Sequence, residues 1–297
     1  MFRKVVLVYH SIGSKEVPAV IGAFPISLDR FKSQINLFRI NDWDIESISN
    51  IHKEVSKNTV YIMSDDGTVD WCENVLPWCE KEGIITNTAL ITGPWLENPI
   101  YPIAHRVQIA LMMKNRKFNI PKLSNEQKSY IDKMYAHEQD ETRRYVKGCC
   151  NLLFDFKDAS KVLDFNEEGY ILIDNKQYLE SDLLKQRFAK PEAYKKFKYA
   201  EYSIHTVTHK AFTGDTKDYI ENEIIPCKNI ILEEKLNLKD FFVLPVKPMF
   251  GAKDTDLIQP LKDIGIKGMF TNDGEWDKKS FIIERIDAKN IENYFQF

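Results

Sequence analysis

The sequence predicts an α/β fold: a barrel-like parallel sheet carrying a large, mainly helical insertion. Three observations support this. Short apolar runs alternate with amphipathic helical stretches from Lys4 to Ile91. The same rhythm returns between Tyr199 and Ile286. Between them, from about Pro102 to Lys198, the pattern is helical and highly charged. Alternation of strand and helix belongs to parallel sheets covered by helices. At 297 residues the chain can bury a large core as one barrel domain. The expected organisation is therefore a single domain over 1–297, with a helical insertion at 100–198.

Each element has a local reason. Lys4–Tyr9 (KVVLVY) is a buried strand that ends at His10 and Ser11. Ser27 is a helix N-cap, and Leu28, Phe31, Ile35 and Phe38 follow at helical spacing, giving a helix over 28–40. Asp42–Ile51 holds a short strand and turn. Val60–Met63 is the next strand and delivers Asp65 and Asp66 at its carboxyl end. Val69–Glu82 is a helix with Pro77 as a kink point and Gly83 as C-cap. Ile84–Ile91 is a strand. In the insertion, Ala104–Met113, Asn125–Val146, Leu179–Phe188 and Glu192–Phe197 are the expected helices, with a hairpin in Phe165–Ile173 around Glu168 and Gly169. Tyr199–Ile204 and Phe241–Val246 are strands. Helices follow over Asp218–Leu236, interrupted near Pro226, and over Thr255–Ile264, capped by Gly265. Gly268–Thr271 and Phe281–Ile286 are the last strands.

Composition excludes several classes. Lysine and arginine total 41 against 44 acidic residues, a net charge of −3, so there is no electrostatic footprint for nucleic acid. The cluster Lys185, Arg187, Lys190, Lys195, Lys196 and Lys198 reads as a solvated face rather than an anion site. The apolar run before His10 is too short for a signal peptide core or a membrane span, and reads as the first strand. The five cysteines are odd in number and form no CxxC, which points to reduced thiols and a cytoplasmic location. Nothing in the sequence specifies an oligomeric state.

Two stretches carry chemistry. The first is the paired carboxylate Asp65-Asp66-Gly67 at a strand end, where α/β folds place their sites. By itself the same tripeptide is also a common turn. The second is His205-Thr-Val-Thr-His209. Imidazole and carboxylate are ordinary ligands for zinc and related divalent ions. An extended strand would hold residues four apart at roughly 13 Å. The two histidines can therefore share a metal only if the intervening β-branched segment turns, against its strand propensity. One carboxylate can then ligate the ion while the other accepts a proton from metal-bound water. Two histidines and a carboxylate also describe the non-haem iron triad, but the order of the residues here is reversed from its usual form.

Taken together, these stretches resemble the polysaccharide deacetylases, the NodB-homology group of carbohydrate esterases. VVLVYHSIG is similar to the opening strand of that family, and VYIMSDDG with VLPWCEKEGIITNTALI to its Asp-Asp-Gly motif and the elements after it. HTVTH matches its His-[Ser/Thr]-x-x-His motif, and LPVKPMFGAKDTD is similar to its Pro-Tyr-Gly region. IGIKGMFTNDG and IIERIDA resemble the closing strands. The likeness spans roughly residues 3–95 and 199–288 and leaves the insertion without a motif.

The resemblance implies a distorted (β/α) barrel of the NodB-homology type. It also implies metal-dependent removal of an N-acetyl group from a sugar or polysaccharide precursor, in cell-surface polysaccharide biosynthesis. By position, Asp65 becomes the catalytic base; Asp66, His205 and His209 hold a divalent metal, zinc ahead of others. Pro248, Phe250 and Gly251 form a groove wall, and Arg285 orients the base. The expected partner is an N-acetylated sugar or polysaccharide substrate. Departures from the family pattern are Ser64 in place of Phe, Val246 or Lys247 before the Pro motif, and an extra Met249 within it. No histidine follows His209, so His10 is the remaining candidate for a catalytic acid, with a structural role as its alternative. A catalytically inactive sugar-binding relative is the competing functional reading.

Overall fold

The computed structural model describes residues 2–13, 26–113, 116–154, 156–163, 169–173, 176–249, 251–272 and 280–295. Eight strands form its central sheet: β1 (Lys4–Tyr9), β2 (Thr59–Ser64), β3 (Thr86–Leu90), β4 (Ala200–Ile204), β5 (Leu238–Val243), β6 (Gly268–Thr271), β7 (Ile282–Glu284) and β8 (Ile286–Asp287). They are hydrogen-bonded in the order β7-β6-β5-β4-β3-β2-β1-β8, and every neighbouring pair is parallel. A two-residue strand, Asp44–Ile45, adds to the start of β2. The strands at the two ends of this order, β7 and β8, are one run of chain interrupted at Arg285. The sheet therefore curls back on itself as the distorted barrel that the alternation predicts.

Side-chain alternation divides the apolar residues into two populations. Val5, Leu7, Val60, Ile62, Tyr202, Ile204, Phe242 and Met269 face outward and join the core with the surrounding helices. Val6, Tyr61, Met63, Phe241, Val243, Phe270 and Ile283 fill the barrel interior. The first helix, α1 (Leu28–Ile40), begins at Ser27, whose hydroxyl accepts the Arg30 amide at 3.1 Å. It buries Phe31, Ile35 and Phe38 against the outer layer. Burial of such side chains stabilises the fold by about 1.5–3 kcal/mol each.

Several boundaries depart from expectation for physical reasons. The helix predicted over Val69–Glu82 opens with a wide turn at Trp71–Val75 and becomes regular only from Leu76, with Pro77 in its first turn. Proline has no amide to donate and is tolerated at that position. Strand β5 stops at Val243, short of the expected Val246, with Pro245 following. The helix expected over Asn125–Val146 is two helices, Asn125–Met134 and Glu141–Gly148. Asp140 ends any continuity by capping the second, its carboxylate accepting the Arg143 amide at 2.9 Å. The hairpin pairs Tyr170–Ile173 with Lys176–Leu179, so its turn lies beyond Gly169. Gly169 instead lies against Met113, where an added Cβ would come within 2.7 Å of the methionine Cβ. Glu168 lies outside the described residues.

Between β3 and β4 the chain also forms helices Ile103–Ala110, Phe156–Leu163, Glu180–Arg187 and Pro191–Tyr194. This helical segment has a core of its own, built on Ile103, Val107, Ile131, Val146, Cys149 and Val162. It is tied to the barrel by a backbone bridge between Phe188 and Thr68 and by the Ala189 amide donating to the Gly67 carbonyl at 3.3 Å. All five cysteines are buried and unpaired. No helix among the described residues is long and apolar enough to cross a membrane.

Candidate metal and catalytic site

Strand parity places the chemistry. Asp65 lies one residue past β2, and its amide continues the ladder by donating to the Tyr9 carbonyl at 3.1 Å. It therefore follows Tyr61 and Met63 on the inward face. His205 extends β4 in the same way, its amide donating to the Leu90 carbonyl at 3.1 Å. Arg285, between β7 and β8, donates to the Thr271 carbonyl at 3.0 Å and follows Ile283 inward. Three carboxyl ends of the barrel thus converge over its axis.

Asp65 is fully enclosed and held by a two-pronged ion pair: Arg285 Nη1 donates to Oδ1 at 2.7 Å and Nη2 to Oδ2 at 2.8 Å. The guanidinium is itself oriented by Nε–H donating to Asn272 Oδ1 at 3.0 Å. Burial pushes the Asp65 carboxyl up, but Arg285, with help from His205 and His10, outweighs it and holds the group below the usual carboxylate range. His10 lies nearby, with its Nε2 3.8 Å from Asp65 Oδ2. The loop that carries His10 is clamped from the helical stretch after β2. Asp70 Oδ2 accepts the Ile12 amide and Asn74 Nδ2 donates to the Ile12 carbonyl, each at 2.7 Å.

Asp66 diverges from its neighbour because its backbone is left-handed, at φ 75°. Gly67 follows at φ 71°, and an added Cβ there would meet Leu90 Cδ2 at 2.9 Å and the Tyr194 hydroxyl at 3.2 Å. The turn thus needs glycine for both conformation and space. It aims Asp66 Oδ1 at two imidazoles, His205 Nε2 and His209 Nε2, each 3.4 Å away. The three ligand-type atoms lie within 4.8 Å of one another.

The His205–His209 segment does turn. Thr206 and His209 are both left-handed, at φ 70° and 59°, and left-handed backbone is unusual for a β-branched residue. Glu223 holds the turn in place. Its Oε2 accepts the Val207 amide at 3.1 Å and the Thr208 amide at 2.8 Å, while Oε1 accepts the Thr208 hydroxyl at 2.7 Å. Burial nonetheless pushes the Glu223 carboxyl above its ordinary value, against these bonds and Lys210.

The donor set fits a cation. A carbonyl can only accept, so the 2.9 Å contact between His205 Nδ1 and the Val243 carbonyl places the proton on Nδ1. Nε2 is left with a bare lone pair, buried and without a hydrogen-bond partner among the described residues. A backbone carbonyl holding the far nitrogen is the usual support of a ligating histidine. Burial lowers the basicity of His209 to a pKa of about 3, so this imidazole is neutral and free to ligate. Asp66 is buried too, yet the imidazoles of His105, His205 and His209 hold its carboxyl well below the ordinary range.

His105 went unrecognised in the sequence. It comes from helix Ile103–Ala110 of the helical segment, and its Nε2 lies 3.1 Å from Asp66 Oδ2. Burial lowers its basicity despite Asp66. Arg187, assigned above to a solvated face, is only 6% exposed and contacts His105, Ser11 and Asp70. Among the remaining expected residues, Pro248 is half-buried and Gly251 exposed, and Phe250 lies outside the described residues. From that loop it is Val246 that borders the small cavity beside His209. A larger groove of about 330 Å³ lies between Met134, Tyr135, Asn151 and Leu152 of the helical segment and residues 244–247, Thr271 and Asn272 at the barrel rim.

Comparison with known proteins bears on the fold. No family model matches the chain, and no curated protein does so either. Solved structures match along the whole chain. The Streptococcus pyogenes deacetylase PplD in complex with acetate superimposes with a TM-score of 0.52 at 14% identity, covering 99% of each chain. A de-N-acetylase from Aggregatibacter actinomycetemcomitans gives 0.52 at 14% identity, covering 99% of this chain and all of the other. The BpsB deacetylase domain from Bordetella bronchiseptica gives 0.50 at 11% identity. The chain has the distorted-barrel fold of polysaccharide deacetylases. At its mouth an Asp66–His205–His209 cluster forms a candidate metal site.

Proposed function

We propose that the protein is a metal-dependent deacetylase that removes an N-acetyl group from a sugar within a carbohydrate chain or its precursor. The observation that carries this reading is the pairing of two adjacent carboxylates in different environments. Asp65 is bound to Arg285, whereas Asp66 faces two histidine nitrogens.

Asp66 Oδ1, His205 Nε2 and His209 Nε2 would hold a divalent ion, with zinc favoured by the two-imidazole, one-carboxylate set. When bound, such an ion polarises the acetyl carbonyl and acidifies a water molecule. The protein groups do the rest. Asp65, kept ionised by Arg285, accepts the proton released as water adds to the amide carbon. Arg285 holds that carboxylate in one orientation. His10, whose Nε2 lies 3.8 Å from Asp65 Oδ2, donates a proton to the departing nitrogen as the C–N bond breaks, leaving acetate and a free amine on the sugar.

Asp65→Asn removes the base without touching the ligand set. Turnover should fall by about 100- to 10,000-fold while metal content stays near that of the parent. Asp66→Asn exchanges an anionic ligand for a neutral one and should lose metal as well as activity. Elemental analysis of both purified variants, with acetate release measured on a panel of N-acetylated sugars, checks the assignment. Retained sugar binding by the unmodified protein without acetate release would place it with the inactive relatives instead.

A further inference from the structure

Asp66 has two carboxylate oxygens, and the metal reading above uses only Oδ1. The second, Oδ2, faces His105 Nε2 at 3.1 Å. Which nitrogen of His105 carries the proton follows from its other neighbour. Arg187 Nε lies 3.3 Å from His105 Nδ1, and a guanidinium N–H can only donate. Nδ1 therefore accepts, and Nε2 bears the hydrogen that it donates to Asp66 Oδ2. Arg187 is fixed in turn by the Ser11 hydroxyl at 3.0 Å from Nη2 and by Asp70 Oδ1 at 3.4 Å from Nη1. The Phe188 ring meets the imidazole edge-on at 4.9 Å between centroids. The whole chain of contacts is buried, with His105 3% and Arg187 6% exposed.

Resting on the proposed metal site, we propose that His105, set by Arg187, is a positioning residue that limits Asp66 to a single-oxygen metal contact. His105 cannot itself be a fourth ligand, because its Nε2 lone pair is occupied by the proton. Were the histidine absent, Oδ2 would be free to swing onto the same ion and fill a position that a hydrolytic centre keeps open. The helical segment between β3 and β4 supplies both His105 and Arg187, so the site is complete only when that segment is docked on the barrel.

The test uses the full chain, stripped of metal and titrated with Zn²⁺ against a chromophoric chelator, and separately loaded with Co²⁺ for its visible spectrum. His105→Leu removes the donor; His105→Gln retains an N–H at similar reach. The leucine variant leaves Asp66 without the N–H that holds it in place, which should cost about 10- to 100-fold in Zn²⁺ affinity, a loss larger than the second oxygen's contact returns. Its Co²⁺ absorption should also weaken as the coordination number rises, whereas the glutamine variant should restore both. Zn²⁺ affinity and a Co²⁺ spectrum unchanged by the leucine substitution, or a glutamine variant as impaired as the leucine one, overturn the proposal. If His105→Leu does not fold, Arg187→Gln, whose amide can accept as well as donate, carries the same test. It frees the His105 tautomer and should alter the Co²⁺ spectrum, and an unaltered spectrum overturns the idea. Failure of the parent protein to bind Zn²⁺ at all overturns the metal reading itself, a result distinct from failure of the variants alone.

Discussion

Asp65 and Arg285 form a buried, two-pronged ion pair. Each is almost fully buried, and each neutralises the other through two hydrogen bonds. Removing only one partner leaves an uncompensated charge in a dry interior, which costs about 3–5 kcal/mol. Arg285→Met should therefore lower unfolding free energy by about that amount at neutral pH, and Asp65→Asn combined with Arg285→Met should recover part of it. Denaturant unfolding of both variants measures the effect. A stable Arg285→Met protein, or a double variant no better than the single one, would show that the pair is not a buried charge pair. Arg285 was legible in advance only through the family resemblance of IIERIDA; the structure supplies the physical reason, since Arg285 lies two positions past Ile283 and shares its inward face. His105 was not legible. One histidine on the mainly apolar helix Ile103–Ala110 has no spacing partner, and its role appears only once the helix is laid against the Asp65-Asp66-Gly67 turn. Arg187 was obscured in the same way, since five lysines around it imitate a solvated face.

The element that joins fold to chemistry is the turn between His205 and His209. The sequence required it to bend only if the two histidines share a metal, because residues four apart cannot meet on an extended strand. It did not reveal how the bend is held against three β-branched residues. Glu223 answers that from 14 positions beyond His209, by accepting two backbone amides and one hydroxyl. Glu223→Ala orphans these donors, each at about 1–3 kcal/mol when buried. The variant should unfold at a lower temperature and lose metal affinity as His209 comes loose. Glu223→Gln can still satisfy the amides and should be far milder. The titration has a definite sign. Because burial raises the folded-state value, the folded protein holds this proton more readily than the unfolded chain. Stability then falls as pH rises from the ordinary glutamate value to the raised one. Glu223→Gln removes that slope, which unfolding midpoints measured across mildly acidic pH will register. His105 and His209, whose basicity burial lowers, add the opposite slope to both proteins, so the sign is read from the difference, and a stability difference of parent minus variant that rises with pH contradicts the assignment.

At the scale of the whole molecule, the barrel was legible from short apolar runs alternating with amphipathic helices, down to the limits of Lys4–Tyr9. The helical segment was legible as helices and, because α/β barrels carry their variable loops at the mouth, as a wall beside or over that mouth; which side chains it brings to the site was not. Its contribution lies in long-range docking, which periodicity does not encode. That wall makes the groove of about 330 Å³, in which Tyr135 and Asn151 face the loop after β5. Asn151 Nδ2 donates to the Tyr135 hydroxyl at 3.2 Å and steadies the ring. The opposite rim includes Asn272, which also accepts from Arg285, so the groove adjoins the partner of the proposed base. A sugar reacting at Asp65 would leave its neighbours in the chain lying along Tyr135. An aromatic contact worth about 1.4 kcal/mol is tenfold in binding. Tyr135→Ala should accordingly raise KM about tenfold for an N-acetylated oligosaccharide with kcat nearly unchanged, and leave the kinetics of a single N-acetylated sugar as they were. Steady-state acetate release on the two substrates decides it. Equal effects on both substrates, or a loss confined to kcat, would mean that the groove does not hold the chain.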